Sequence, residues 1–368
     1  MKTLAIFSPN RNAYSETFIQ AHKKLPFNIR YYYGGYLPTA LEPSGSFFKF
    51  NLLSKFKKKK KSKFSWYEYA LLQSLKKEKV DCVLAEYGIT ASESLQVIKY
   101  LKLPLIVHFH GFDASSKSIL DNYANRYKEV FDYASAVVAV SFKMKEDLIK
   151  LGCPLSKLTI AAYGPDPMFL KNNPPYVNPK FTAVGRFVDK KAPYLTIAAF
   201  KKVVETYPDA KLIMIGDGAL LNACKNLVKL WGLSDSVEFK GILNQAEIRE
   251  VFQDSIAFVQ HSIIADSGDT EGTPVAVLEA QAAALPVIST YHAGIPDVVI
   301  NSETGLLVEE HDIDGMANNM LRILQEEGLA RKLGVAGRQR IIEKFSRENN
   351  LSVLKILVDQ ACNHPIHL

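Results

Sequence analysis

Glu271-Gly272-Thr273-Pro274-Val275-Ala276-Val277-Leu278-Glu279 sets two carboxylates eight positions apart across the start of a helix. Thr273 suits the N-cap and Pro274 the first helical position, where a missing N–H leaves nothing unsatisfied. The Ala-rich run from Val275 to Ala284 propagates a helix that must stop before Pro286. Glu271 is therefore expected in the preceding loop, with Glu279 roughly 7–8 Å further along the axis at about 1.5 Å per residue. Between them lies the positive end of the helix dipole with its unbonded N–H groups, a ready anion site. An acid on each side of a phosphate cradle suits a ligand with hydroxyls at both ends and phosphates in the middle, the shape of a nucleotide-sugar.

Outward from this stretch, short apolar runs alternate with helical segments, the pattern of βα units around parallel sheets. Strands are expected at Thr3–Phe7, Ile29–Tyr33, Cys82–Ala85, Leu105–Val107, Ala136–Val140 and Leu158–Ala162. After a break they resume at Phe181–Val184, Lys211–Ile215, Val237–Phe239, Ile256–Gln260, Pro286–Ser289 and Leu306–Val308. Helices are expected over Ser15–Lys24, Trp66–Lys77, Ala91–Leu101, Phe142–Leu151, Asp312–Gln325 and Leu329–Phe345, with a last amphipathic one after Ser346. The break carries five prolines between Tyr163 and Pro179 and reads as a linker over 166–179. Two α/β domains follow, 1–165 and 180–346, each a doubly wound sheet, with a ligand expected in the cleft between them, outside the carboxyl ends of the strands.

Composition fits that division. The 368 residues suffice for two domains, and 48% apolar with 23% charged residues is ordinary for a globular protein. No apolar run reaches the roughly 18 residues of a membrane span, and the N-terminus reads as a first strand rather than a signal peptide. Cys82, Cys153, Cys224 and Cys362 have no metal-site or disulfide-framework spacing, so a reducing cytoplasm is expected. The net charge of +7 is local: eight lysines and no acid lie between Lys49 and Phe64, which leaves about −1 for the rest. Phe56, Lys57, Lys58, Lys59, Lys60, Lys61 and Phe64 interleave cations with aromatics, which favours an anionic bilayer surface. Nucleic acid is not expected, since no recognition fold is visible.

The Glu271-x7-Glu279 spacing resembles the E-x7-E motif of retaining glycosyltransferases of the GT-B fold, the family 4-like group that includes bacterial exopolysaccharide, capsule and lipopolysaccharide enzymes. Val184-Gly185-Arg186-Phe187-Val188-Asp189-Lys190-Lys191 is similar to that family's Gly-Arg-x3–5-Lys-Lys/Arg-Gly loop, with Ala192 where the family has glycine. His110-Gly-x-Asp113 is similar to its H-G-x-D position, and Ser15-Glu16-Thr17-Phe18 resembles a subgroup of exopolysaccharide transferases. The resemblance implies two Rossmann-like domains facing across a cleft, with a C-terminal helix (about 347–368) crossing back to the first. It also implies transfer of a sugar, with retention, from a nucleoside diphosphate sugar (UDP favoured over GDP) to a glycan or lipid-linked acceptor. Arg186 and Lys191 are then expected on the diphosphate, as fixed cations where charge develops. Glu271, Gly272, Thr273 and Pro274 are expected on the sugar and Glu279 on the ribose. Gly185, Gly216 and Gly218 would shape the donor site, and Gly241, Ile242 and Leu243 would meet the base. His110 is assigned to the sugar hydroxyls, and Ser15, Glu16 and Asp113 to the acceptor side, with Asp113 also suited to orienting its loop. Ser15 also fits a plain N-cap.

Asp312-Ile-Asp314 mimics a D-x-D metal motif but suits an N-cap, and Asp266-Ser-Gly-Asp269 suits a turn. No cofactor and no obligatory metal are expected. The implied location is the cytoplasm, peripheral at the inner face of the membrane. A GT-B-fold epimerase or phosphorylase, or a non-catalytic nucleotide-sugar-binding partner, are the alternatives.

Overall fold

A computed structural model of the chain describes residues 1–14, 16–47 and 64–363. Ser15, Phe56 and Lys57–Lys61 lie outside the described residues. The chain folds as two compact units, one of Met1–Ala161 with the residues from Leu351 onward, the other of Ala162–Asn350.

The first unit is built on an eight-stranded sheet. Its strands are β1 (Thr3–Phe7), β2 (Asn28–Tyr33), β3 (Ala40–Leu41), β4 (Gly45–Ser46), β5 (Cys82–Glu86), β6 (Leu105–His108), β7 (Ala136–Ala139) and β8 (Leu158–Ile160). They run in the order β4-β3-β2-β1-β5-β6-β7-β8. Six of them are parallel neighbours; β3 and β4 pair antiparallel at the edge, too short for an apolar pattern to reveal. Every residue of β1, β5, β6 and β7 is buried, as expected of parallel strands covered on both faces. Leu354, Val358 and Ala361 of the last helix, Arg347–Asn363, pack with Leu4, Ile6 and Leu84 into this unit's core. The helix Trp66–Lys77 starts with a capping box in which Ser65 and Glu68 bond each other's backbone N–H. A 17-residue helix, Lys117–Tyr133, is also present and is absent from the expected set, although Tyr123, Tyr127, Val130 and Phe131 recur at helical spacing.

The second unit has a six-stranded parallel sheet of β9 (Lys180–Val184), β10 (Lys211–Ile215), β11 (Val237–Gly241), β12 (Ala257–Val259), β13 (Val287–Thr290) and β14 (Gly305–Val308). Its order is β11-β10-β9-β12-β13-β14, so the winding reverses between β9 and β12. A doubly wound sheet opens its ligand crevice at that point, outside the carboxyl ends of the two strands.

The proline-rich stretch is not a free linker: it is packed onto the second unit. Asn172 Nδ2 donates to Arg249 O at 2.8 Å, and Tyr176 Oη donates to Ala284 O at 2.6 Å. Its prolines shape a fixed path whose polar groups are satisfied by the unit it precedes. Among the described residues, no helix is long and apolar enough to cross a membrane.

Candidate active site

The loops leaving β9 and β12 carry the charged residues of the second unit. After β9 the chain makes a 3-10 turn, Asp189–Lys191, and Ala192 takes a left-handed conformation with φ +33°. The glycine expected there would adopt this backbone freely; for alanine it costs about 1 kcal/mol. The turn sends the two lysines apart. Lys190 Nζ is 2.9 Å from both Asp269 Oδ1 and Thr270 O, so it fastens the following loop. Lys191 Nζ lies 3.1 Å from Glu271 Oε1 and donates to Gln260 Oε1 at 3.2 Å. Gly185 makes room for this: a Cβ there would meet Lys191 Cδ at 2.7 Å.

Burial pushes the Glu271 carboxyl up, but Lys191 and Lys190 outweigh it and hold its pKa lowered to about 2. Burial also pulls the Lys191 ammonium below its ordinary range, against the pull of Glu271. Glu271 N–H donates to His292 Nε2 at 3.1 Å, and His292 Nδ1 is 2.6 Å from Glu310 Oε1. This pairing assigns the ring proton to Nδ1 and leaves Nε2 as acceptor. Arg186 is exposed beside Lys191. Both line an open recess of about 300 Å³ with Gly185, Thr196, Ile215 and Gln260. The site thus holds a locked carboxylate, a cation shared between two acceptors, and a second cation free to swing.

The helix after Glu271 runs Val275–Ala282, with Pro274 at the N-cap position and no side-chain cap bond. Thr273 is therefore not the cap expected from sequence, and Pro274 is not the first helical residue; Pro274 keeps extended ψ and shifts the start by one residue. Val277 is the first N–H to bond back, to Pro274 O at 3.1 Å. Glu279 lies within this helix, 5% exposed, and accepts from Gln245 Nε2 at 2.9 Å. Burial, more than the nearby Asp166, raises its pKa to about 7, against the opposing pull of Gln245 and Arg347. A carboxyl with a raised native pKa binds more protons folded than unfolded, so its ionisation costs stability as pH rises from about 4.5 to 7. Glu279→Gln is expected to stabilise the chain by up to about 3 kcal/mol at pH 8 and by little at pH 4.5. Urea melts of both proteins at each pH measure this; the difference between them cancels the opposite contribution of His261, whose pKa burial lowers to about 4.

The turn after β10 is a backbone-to-backbone contact. Gly216 has φ +132° and Gly218 +154°; a Cβ on Gly216 would sit 2.0 Å from Gly185 O, and one on Gly218 2.5 Å from Phe187 O. Gly216 N–H donates to Gly241 O at 2.7 Å, so the ends of β9, β10 and β11 are tied at one level. Beyond Gly241, Ile242 is 50% exposed and Leu243 half-buried. Asp312 caps the helix Ile313–Gln325 by accepting from Gly315 N–H. Asp269 closes a turn with Ala265 and accepts from Lys190.

In the first unit, His110 turns inward. Its side chain is 2% exposed, and Nε2 is 2.8 Å from Glu86 Oε2. The structure therefore gives its ring no open face for sugar hydroxyls, because Glu86 at the end of β5 captures the nitrogen. Asp113 is fully buried and accepts from the N–H groups of Gly88, His110 and Gly111 at 2.9, 3.0 and 3.0 Å. It holds a loop rather than facing an acceptor. Glu16 precedes the helix Thr17–His22 and accepts from Asn10 Nδ2 and Tyr87 Oη, both at 2.9 Å. Tyr87, at φ +73°, stacks edge-on against His110 with centroids 4.6 Å apart. Glu86 is held below the usual carboxylate range although burial pushes it up, because His22 and His110 outweigh burial. Gln260, Gln245, His292, Glu86, His22 and Tyr87 were not among the sequence candidates. Glu86, Tyr87, Gln260 and His292 lie at or just past strand ends, whereas His22 and Gln245 lie at helix ends. Of the expected membrane residues, Phe64 alone is described; it packs edge-on against Tyr100 at 5.1 Å.

Two family models divide the chain: "Glycosyltransferase Family 4" matches residues 20–167 and "Glycosyl transferases group 1" residues 169–340. The chain is 28% identical over 253 residues to WcaL of Escherichia coli (strain K12), named for colanic acid biosynthesis, a match that covers 67% of this chain and 62% of WcaL. It thus spans less than two thirds of that relative. It is 28% identical over 320 residues, 80% of this chain and 79% of the relative, to the Escherichia coli UDP-Gal:alpha-D-GlcNAc-diphosphoundecaprenol alpha-1,3-galactosyltransferase. The Anabaena protein HepE, solved with UDP, superposes with a TM-score of 0.78 over 98% of this chain and 100% of HepE at 14% identity. With two Rossmann-like α/β units and both family models matched in sequence order, the chain belongs to the GT-B-fold glycosyltransferases.

Proposed function

We propose that the chain transfers a sugar, with retention of anomeric configuration and without an obligatory metal, from a UDP-sugar to a glycan or lipid-linked acceptor of a cell-surface polysaccharide. The observation that carries this reading is the Lys191–Glu271 contact of 3.1 Å at the winding reversal of the second sheet, with Arg186 beside it. In this reading Arg186 and Lys191 neutralise the diphosphate as its bond to the sugar breaks. Glu271 and the backbone at Gly272–Thr273 hold the sugar, and Glu279 takes the ribose hydroxyls. The leaving diphosphate oxygen accepts the acceptor's proton in a front-face displacement. HepE, solved with UDP, and the galactosyltransferase relative, named for a UDP-sugar and a diphosphoundecaprenol-linked acceptor, support this choice of donor and acceptor. Thermal unfolding with UDP and GDP tests the donor site: UDP at 100 times its Kd should add about 2.7 kcal/mol. No shift with either nucleotide would remove the reading.

A lipid-linked acceptor places the chain at the inner membrane face, with the lysine run as its contact. Cosedimentation with anionic liposomes should fall away at high salt and on replacing Lys57–Lys61 with serine, each lysine adding on the order of 1 kcal/mol. Binding that survives both changes would refute the contact.

A further inference from the structure

Glu271 is gripped by its backbone as well as by its carboxylate, and the backbone grip comes from the ends of two neighbouring strands. Its N–H donates to His292 Nε2 at 3.1 Å, while Lys191 Nζ meets the carboxylate at 3.1 Å. His292 stands two residues past β13 and Glu310 two residues past β14. These strands are parallel neighbours, and Tyr291 N–H donates to Val308 O at 2.8 Å, so the two segments leave the sheet together. Glu310 Oε1 accepts from His292 Nδ1 at 2.6 Å, and Glu310 Oε2 accepts from Ile264 N–H at 2.8 Å. One carboxylate and one imidazole thus hold the loop that leaves β12 at two places, at Ile264 directly and at Glu271 through the ring. The His292 ring is 1% exposed. Lys190 fastens the stretch between them at Asp269 and Thr270.

We infer that His292 and Glu310 are positioning residues for the sugar-binding end of the site, a role that rests on the sugar-transfer reading. They fix the backbone from which the Glu271 carboxylate projects and on which Gly272 and Thr273 follow. The chemistry requires both partners in their present form. Nε2 can accept only while the ring proton sits on Nδ1, and Glu310 supplies the acceptor that keeps it there. Two N–H donors from separate segments face Glu310; an amide in its place offers one oxygen and leaves one donor unmet. A loop released from this hold mis-aims Glu271, and a misplacement of about 1 Å caused from outside the reacting groups can cost on the order of 100-fold in rate. Lys191 keeps Gln260 as an acceptor, so the grip on a diphosphate persists when the loop shifts.

The test compares His292→Asn, His292→Gln and Glu310→Gln in the full chain. UDP release is followed with whichever of UDP-glucose, UDP-galactose and UDP-N-acetylglucosamine the wild type turns over fastest. The Asn amide can still donate to Glu310 but is too short to reach Glu271 N–H, whereas Gln presents an oxygen near the Nε2 position. His292→Asn and Glu310→Gln should lose about tenfold to 100-fold in kcat. His292→Gln should lose less, and the Kd for UDP should stay at the wild-type value in all three. Wild-type kcat in His292→Asn, equal losses in both His292 variants, or UDP affinity lost in step with kcat overturns the proposal. Should the variants not fold, or none of the three donors turn over, nitrogen NMR of the wild-type imidazoles decides: a His292 proton on Nδ1 supports the proposal, and one on Nε2 overturns it. A wild-type chain that binds no UDP removes the sugar-transfer reading and this role with it; a UDP-binding chain with unaffected variants removes this role alone.

Discussion

Lys191→Ala is expected to slow UDP release from a UDP-sugar in the presence of acceptor by about 100-fold or more, the usual scale for removing one contact to developing charge. That corresponds to about 2.7 kcal/mol of transition-state stabilisation. The side chain is 15% exposed and already shares its ammonium between Glu271 and Gln260, so in the proposed reading it needs no reorientation to reach the diphosphate. Lys190 cannot substitute, because its ammonium is held by Asp269 and Thr270. Lys190→Ala should therefore act on stability first, and Lys191→Ala on rate first. Circular dichroism and thermal melting of each variant separate the two effects.

Glu271→Ala should cost a comparable factor by a different route. Its carboxylate, kept ionised by Lys191 and Lys190, positions Lys191 and in the proposed reading binds the sugar. Removing it leaves Lys191 without its counter-charge, held among the described residues only by Gln260. If the two act as one unit, the Lys191→Ala/Glu271→Ala double variant should be little slower than the worse single variant, since residues of a unit are not additive. Near-wild-type rates in both single variants would end the assignment; multiplied losses would show two independent contacts.

Much of the fold was legible because parallel strands covered on both sides must be continuous apolar runs. All twelve expected strands are present with ends shifted by a residue or two. The two missed strands, Ala40–Leu41 and Gly45–Ser46, are two residues each; no periodicity exists at that length. The Glu271–Glu279 stretch could be singled out because its chemistry is local in sequence. What surrounds it could not. That Gln260 meets Lys191, or that Glu86 captures His110, depends on which strands are neighbours and in what register. The loop motif at His110 implies an outward-facing ring, yet a buried anion one strand away turns it inward. The prolines between Tyr163 and Pro179 read as a linker because sequence shows their stiffness but not the carbonyls of Arg249 and Ala284 that anchor them.

Asp113 joins the start of the helix Gly88–Leu101 to the loop at His110–Gly111, because three backbone N–H groups donate to its one carboxylate. Two segments 22 residues apart at their nearest bonded positions are thereby one mechanical part. Any displacement imposed on one is handed to the other, so the pair behaves as a rigid bracket.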